Sequence, residues 1–418
     1  MPRKTALEAL ERCRRGGAWS GQVLTALTQK NNMNGRDAAL AARLFYGTLQ
    51  NLTLLDYYIS AFTRGALEPK VRDILRLGVY QILFMDRIPD HAAVSESVEL
   101  CRKTGFSRAA GLVNAVLRRI TENKSDLPKV PDAGTASYLS VQYSHPLWLV
   151  DELIALRGHG GAEAVLRADN EPAPVTIQTN TMKTTPEALA GLLDAEPCEV
   201  MDGCLVLQKG GDFTQSDAFR QGLFYVQDPA ARLAVHFAGP EPGMRVLDAC
   251  AAPGGKSFAC AIAMQNQGEI ISRDISASKL ALVSQGAERL GLPIIRCEAG
   301  DATEFAGADF DVVLADVPCS GLGVIRKKPE IRYRPQTELD KLPALQKRIL
   351  NNLGRSVKPG GVIVYSTCTW RTVENADVTE AFLRENQQFV KEEERTLWPD
   401  LDGTDGFYLC RMHRKNSI

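Results

Sequence analysis

At 418 residues, with 44% hydrophobic and 24% charged residues, the chain is too long for one ordinary domain and has the composition of a globular protein with buried cores. No apolar run nears the ~18 residues of a membrane span, and Met1-Pro2-Arg3-Lys4-Thr5 opens no apolar signal segment, so no membrane and a cytoplasmic address are expected. The net charge of −1 excludes nothing by itself, but residues 1–130 carry 20 Lys and Arg against 12 Asp and Glu, leaving 29 against 38 elsewhere, a split suited to capturing a polyanion on the basic lobe.

Residues 1 to about 125 read as helical. Ile74, Leu75, Leu77, Gly78, Tyr80, Gln81, Leu83 and Phe84 have the three-and-four spacing of a buried helix face. Pro89 marks a break, the next helix begins around Ala92, and a third from Ala109 to Ile120 presents Leu112, Val113, Val116 and Leu117. Strand-like alternation is missing, so residues 1–130 form an all-α domain that ends in a polar, proline-bearing linker, Thr121–Pro131. From His145 the pattern changes. Helices over Pro146–Leu156 and Ala162–Ala168, a strand over Val175–Asn180, a helix over Pro186–Leu193, and strands near Glu199–Met201 and Cys204–Leu207 make residues 145–235 a small α+β module.

From residue 236 to 418 apolar strands alternate with helices, the pattern of a doubly wound sheet. The strands read as Arg245–Asp248, Glu269–Asp274, Ile294–Cys297, Phe310–Asp316 and Gly361–Cys368, with a last antiparallel pair that includes Gly406–Met412. Ligands in such sheets sit beyond the carboxyl ends of the strands.

The first of these strands ends in Asp248-Ala249-Cys250-Ala251-Ala252-Pro253-Gly254-Gly255-Lys256-Ser257, where small residues let the backbone approach a ligand. A phosphate-binding loop needs glycine at Cys250, and a dinucleotide fingerprint is absent. An S-adenosylmethionine loop is the remaining reading. Asp274 and Asp301 favour it, because a carboxylate at the second strand end suits ribose hydroxyls and one after the third suits the adenine amino group. Either aspartate alone would pass as a helix cap.

The ten cysteines include no C-x-x-C pair and the five histidines do not cluster, so no metal is expected. Most of these thiols read as small buried hydrophobes. Cys319, in Asp316-Val317-Pro318-Cys319-Ser320-Gly321, and Cys368, in Tyr365-Ser366-Thr367-Cys368-Thr369, are different, because both follow strands that end beside the cofactor loop. Carbon 5 of cytosine is a poor nucleophile until a thiolate adds to carbon 6 and turns the ring into an enamine. Lys256 nearby would help ionise such a thiol, and Asp316 would bind the Watson–Crick edge of the base. The base must be single-stranded or flipped out to reach them. Spacing does not say which cysteine attacks.

These three motifs, with Leu345-Gln346 to Gly360-Gly361, resemble those of the RNA cytosine-5 methyltransferases. That resemblance implies that Cys368 is the nucleophile, that Cys319 assists product release, and that the cofactor lies against Cys250–Lys256, Asp274, Asp301 and Asp316. DNA cytosine methyltransferases use the Pro-Cys thiol instead. Arg43-Leu44-Phe45-Tyr46-Gly47-Thr48-Leu49, Ile88–Glu96 and Val113–Ile120 resemble the RNA-binding NusB fold, and a NusB-like lobe ahead of the catalytic domain is the layout of the RsmB (Sun/Fmu) family of bacterial small-subunit ribosomal RNA methyltransferases. The resemblance spans essentially the whole chain. It implies a monomer that acts on small-subunit (16S) ribosomal RNA, with transfer RNA, DNA, or a non-catalytic assembly role as alternatives.

Three departures stand out. Ser257 replaces a common threonine, Gln285–Leu290 lacks a usual asparagine, and Val373-Glu374-Asn375-Ala376 keeps only part of a Glu-Asn-Glu run. Arg326, Lys327, Lys328 and Arg332 are candidate phosphate contacts, and Pro318 and Arg43 are further candidate RNA contacts. A solvated charged loop reads equally well there.

Overall fold

A computed structural model describes residues 1–16, 20–208, 213–304 and 307–416. The chain divides into two compact units, Met1–Glu171 with Ile325–Arg334, and Pro172–Val324 with Pro335–Ile418.

In the first unit the apolar spacing closes as expected into helices, among them Pro2–Gly16, Gly35–Gln50, Pro69–Phe84, Asp90–Lys103 and Ala110–Glu122. Leu7, Leu27, Leu44, Phe45, Leu75, Val113 and Leu117 meet in one core. The close approach of the helices explains two glycines. A Cβ on Gly47 would fall 1.9 Å from the Tyr80 ring, and one on Gly78 would fall 2.7 Å from Leu117. The helices expected over Pro146–Leu156 and Ala162–Ala168 are two parts of Leu147–Ala168, broken where Gly158 takes φ 67°. A further helix, Ala136–Gln142, follows the expected linker and is capped by the Thr135 hydroxyl, which accepts from the Tyr138 amide.

Arg332 corrects one sequence expectation. It is not a phosphate contact but a fully buried side chain of the helical unit. Its Nη1 donates to Gln50 O at 3.0 Å and Asn170 Oδ1 at 2.8 Å, and Nη2 donates to Asp169 O at 3.3 Å. Burial holds its pKa below the ordinary value, although the guanidinium stays charged. Arg332→Met would strand these acceptors in the core and is expected to destabilise the unit by about 3 kcal/mol or more. Thermal unfolding would detect this, and an unchanged melting temperature would refute the structural role.

In the second unit the small module is a four-stranded antiparallel sheet of β1 (Thr176–Thr179), β2 (Ala195–Pro197), β3 (Cys204–Leu207) and β4 (Phe224–Val226), in the order β2-β3-β1-β4. The strand expected at Glu199–Met201 lies earlier, at β2. Residues 198–204 form a turn instead, closed by the Cys198 amide donating to Cys204 O. The short β4 gave no alternation to read.

The large sheet consists of β5 (Arg245–Asp248), β6 (Glu269–Asp274), β7 (Ile295–Ala299), β8 (Phe310–Asp316), β9 (Val357–Thr367), β10 (Phe389–Leu397) and β11 (Phe407–Arg414). Its order is β10-β11-β9-β8-β5-β6-β7, with β5 to β9 parallel and β10 and β11 antiparallel. The strand order reverses between β5 and β8, and a crevice opens beyond their carboxyl ends at such a reversal. Central strands are buried on both faces, so they appear in the sequence as unbroken apolar runs.

Candidate active site

The loop after β5 is built for backbone approach. The Ala251 amide donates to Arg273 O, the Gly254 amide donates to Ala251 O, and Gly254 takes φ 109° just before the helix Gly255–Ala263. A side chain on Gly255 would strike Gln227. Below the loop, the buried Ser257 hydroxyl lies 2.7 Å from both Asp248 Oδ2 and Ser272 Oγ, so serine serves where threonine was anticipated.

Four carboxylates surround this loop. Asp274 accepts from the Ala252 and Ser276 amides, at 3.2 and 2.9 Å, and Asp301 accepts from the Thr303 amide at 2.8 Å, which lowers its pKa. Cys250 is half-buried near Asp316, Asp248, Asp274 and Asp301, and desolvation followed by those charges drives its thiol pKa up. Asp248 is fully buried with Oδ1 unpartnered, and burial lifts its pKa to about 6. Lys256 opposes them but is already paired with Asp316 Oδ2 at 2.6 Å, and the Arg348 charge acts on Asp301. Despite burial, that pairing keeps Lys256 charged by raising its pKa. Such a surplus of negative charge repels phosphates and suits a cationic ligand that carries hydroxyls. Ile275, 75% exposed just past Asp274, adds an apolar surface for a flat ring, and the sequence reading missed it. The donor set therefore fits S-adenosylmethionine and not a nucleoside triphosphate.

The raised pKa of Asp248 carries a sign. Its folded value lies above the ordinary 3.8, so the folded protein binds the extra proton and stability falls as pH rises from about 4 through about 6. The cost at pH 7 is roughly 3 kcal/mol. Asp248→Asn is expected to melt higher than the native protein at pH 8, and the gap should close toward pH 4. A pH-independent gap would refute the assignment.

At the ends of β8 and β9 the two thiols converge. Cys319 Sγ and Cys368 Sγ lie 3.2 Å apart, both half-buried and neither in a disulfide. The contact with Cys368, then burial, raises the Cys319 pKa well above the ordinary value. Asp316 is held from both sides, with Lys256 on Oδ2 and Ser366 Oγ on Oδ1 at 2.8 Å. The Lys256 ammonium also lies 5.3 Å from the Phe407 ring centroid.

The structure thus brings together Cys250 to Lys256, Asp274, Asp301, Asp316, Pro318, Cys319 and Cys368, all in the second unit, with Pro318 exposed beside Cys319. Arg43, Arg326 and Lys328 belong to the first unit, Arg43 and Lys328 exposed and Arg326 half-buried. Sequence reading noted Gln346, Glu374 and Asn375 in motifs but gave them no role, and they pack behind the cysteines. The partial Glu-Asn-Glu run was the available signal.

Residues 235–413 match the model of the 16S rRNA methyltransferase RsmB/F family, residues 1–122 match the NusB family, and residues 145–214 match the ferredoxin-like domain of RsmF/B-like methyltransferases. A Bacillus subtilis (strain 168) protein named probable ribosomal RNA small subunit methyltransferase B is 35% identical, over 99% of this chain and 98% of its own. The chain belongs to the RsmB/F family. It is an S-adenosylmethionine-dependent rRNA methyltransferase. The Pseudomonas putida ribosomal RNA small subunit methyltransferase B is 32% identical over 98% of each chain. The crystal structure of PH0851 shares the fold with TM-score 0.83 at 24% identity, over 99% of both chains. Among the described residues no helix is long and apolar enough to cross a membrane, and no group of three or more His, Cys, Asp or Glu could hold a metal ion.

Proposed function

We propose that this member of the family methylates carbon 5 of a cytosine in 16S ribosomal RNA through a covalent adduct between Cys368 and carbon 6 of the base. The observation that carries this reading is the pair of sulfurs 3.2 Å apart, beside an aspartate fixed by Lys256 and Ser366. S-adenosylmethionine, when bound, supplies an electrophilic methyl group. Asp316 accepts from the exocyclic amine of the flipped cytosine, and the Lys256 ammonium paired with it offsets the negative charge that forms on the ring. The Cys368 thiolate adds to carbon 6, and the electron pair moves to carbon 5. After methylation a base takes the carbon 5 proton, the carbon–sulfur bond breaks, and Cys368 departs as thiolate. The Cys319 thiol donates a hydrogen bond to that leaving sulfur. The helical unit, with its excess of Lys and Arg and its NusB match, suits capture of the RNA.

The test is incubation of the full chain with unmodified 16S rRNA and methyl-labelled S-adenosylmethionine, followed by nucleoside analysis. Labelled 5-methylcytidine is expected. Label in any other nucleoside would overturn the carbon 5 chemistry, and label only in transfer RNA or DNA would overturn the substrate.

A further inference from the structure

Behind the two sulfurs lies a layer of buried polar side chains that the chemistry above does not use. Gln346, on the helix Leu342–Gly354, and Glu374 are fully buried, and Asn375 is nearly so. Their hydrogen bonds follow a pattern. Glu374 Oε2 accepts from the Ser320 amide at 2.8 Å and from Gln346 Nε2 at 3.0 Å, while Gln346 Nε2 also donates to Pro318 O at 3.0 Å. The residues on both sides of Cys319 are therefore tied to one Gln346–Glu374 pair. Asn375 does the same for the other thiol, because its Oδ1 accepts from Thr367 Oγ1 at 2.6 Å and its Nδ2 donates to Thr369 O at 2.9 Å. The two brackets share a backbone, and the Tyr365 hydroxyl pins it by donating to Glu374 O at 2.6 Å.

We propose that Glu374-Asn375 is a positioning device for the pair of sulfurs, with Asn375 setting the place of Cys368 and Glu374 setting that of Cys319. Peptide groups held from both sides lose the freedom to shift, and an error near 1 Å between reacting atoms costs much of the rate. Among the charges around Cys319, the buried Glu374 carboxylate favours the protonated thiol. Arg371 Nη1 lies 3.8 Å from Glu374 Oε1. The device rests on the roles proposed for Cys319 and Cys368, and it assigns its two residues to different steps.

The experiment compares Glu374→Gln, Asn375→Ala and Cys319→Ala in the full chain, with unmodified 16S rRNA, methyl-labelled S-adenosylmethionine and a denaturing gel for the covalent complex. Glu374→Gln is expected to slow turnover about tenfold while raising the trapped fraction, the scale of one charge-assisted hydrogen bond. Asn375→Ala is expected to lower turnover and trapped fraction together. Merely loosened structures would move the trapped fraction in the same direction. If Cys319→Ala traps RNA while the other two variants leave the trapped fraction unchanged or shift it alike, the device is refuted and the chemistry stands. If Cys319→Ala traps nothing, the role of Cys319 falls, and the device with it. Should Glu374→Gln fail to fold, Gln346→Met releases the same bracket and carries the same expectation.

Discussion

Cys368→Ala is expected to abolish methylation, with turnover falling by about 10⁴ or more, as for other enzymes stripped of a nucleophile. The reason is chemical. Without addition at carbon 6, carbon 5 has no electron pair to offer, and the remaining groups at the site bind and orient without creating one. Asp316, Lys256 and Ser366 hold one another independently of the thiol, so cofactor affinity and melting temperature should change little. Two measurements check this: label transfer to rRNA, and equilibrium binding of S-adenosylmethionine to the variant. Retained turnover would show that Cys319 or another group attacks, and lost cofactor binding would show that the variant damaged the loop instead.

Cys319→Ala is expected to do the opposite to the adduct. Addition of Cys368 needs no proton from Cys319, so attack proceeds. The departing thiolate then loses the hydrogen-bond donor that sits 3.2 Å away in the native enzyme. Loss of a hydrogen bond to a charged group costs about 1.5–3 kcal/mol, which slows release by roughly 10- to 150-fold. Covalent enzyme–RNA complex should accumulate as a slowly migrating band that proteinase removes. Rapid turnover with no such band would mean that Cys319 has no part in release.

Much of the architecture was legible because it is written in local pattern. The apolar runs that become β5 and β8 stop at Asp248 and Asp316, and those stops coincide with the strand ends because a charge costs least where a buried strand leaves the sheet. Helix periodicity placed Pro69–Phe84 and Ala110–Glu122 within a few residues. The misreadings fell where local pattern is weak. β2 and β4 are three residues each, too short to alternate, and Arg332 looked like its basic neighbours until its acceptors were known.

By itself the sequence determined which chemistry is available: a small-residue loop with carboxylates at successive strand ends, and two thiols following strands of one sheet. It did so because strand ends and turn residues are local properties of the chain. The tertiary structure decided the rest. It set the sulfur-to-sulfur distance, placed Lys256 on Asp316, sent Arg332 into a core, and drew Gln346, Glu374 and Asn375 behind the cysteines. Gln346 acts on residues 28 positions away, and Cys319 meets Cys368 across 49. Such pairings depend on which strands become neighbours, and no window of local sequence carries that information.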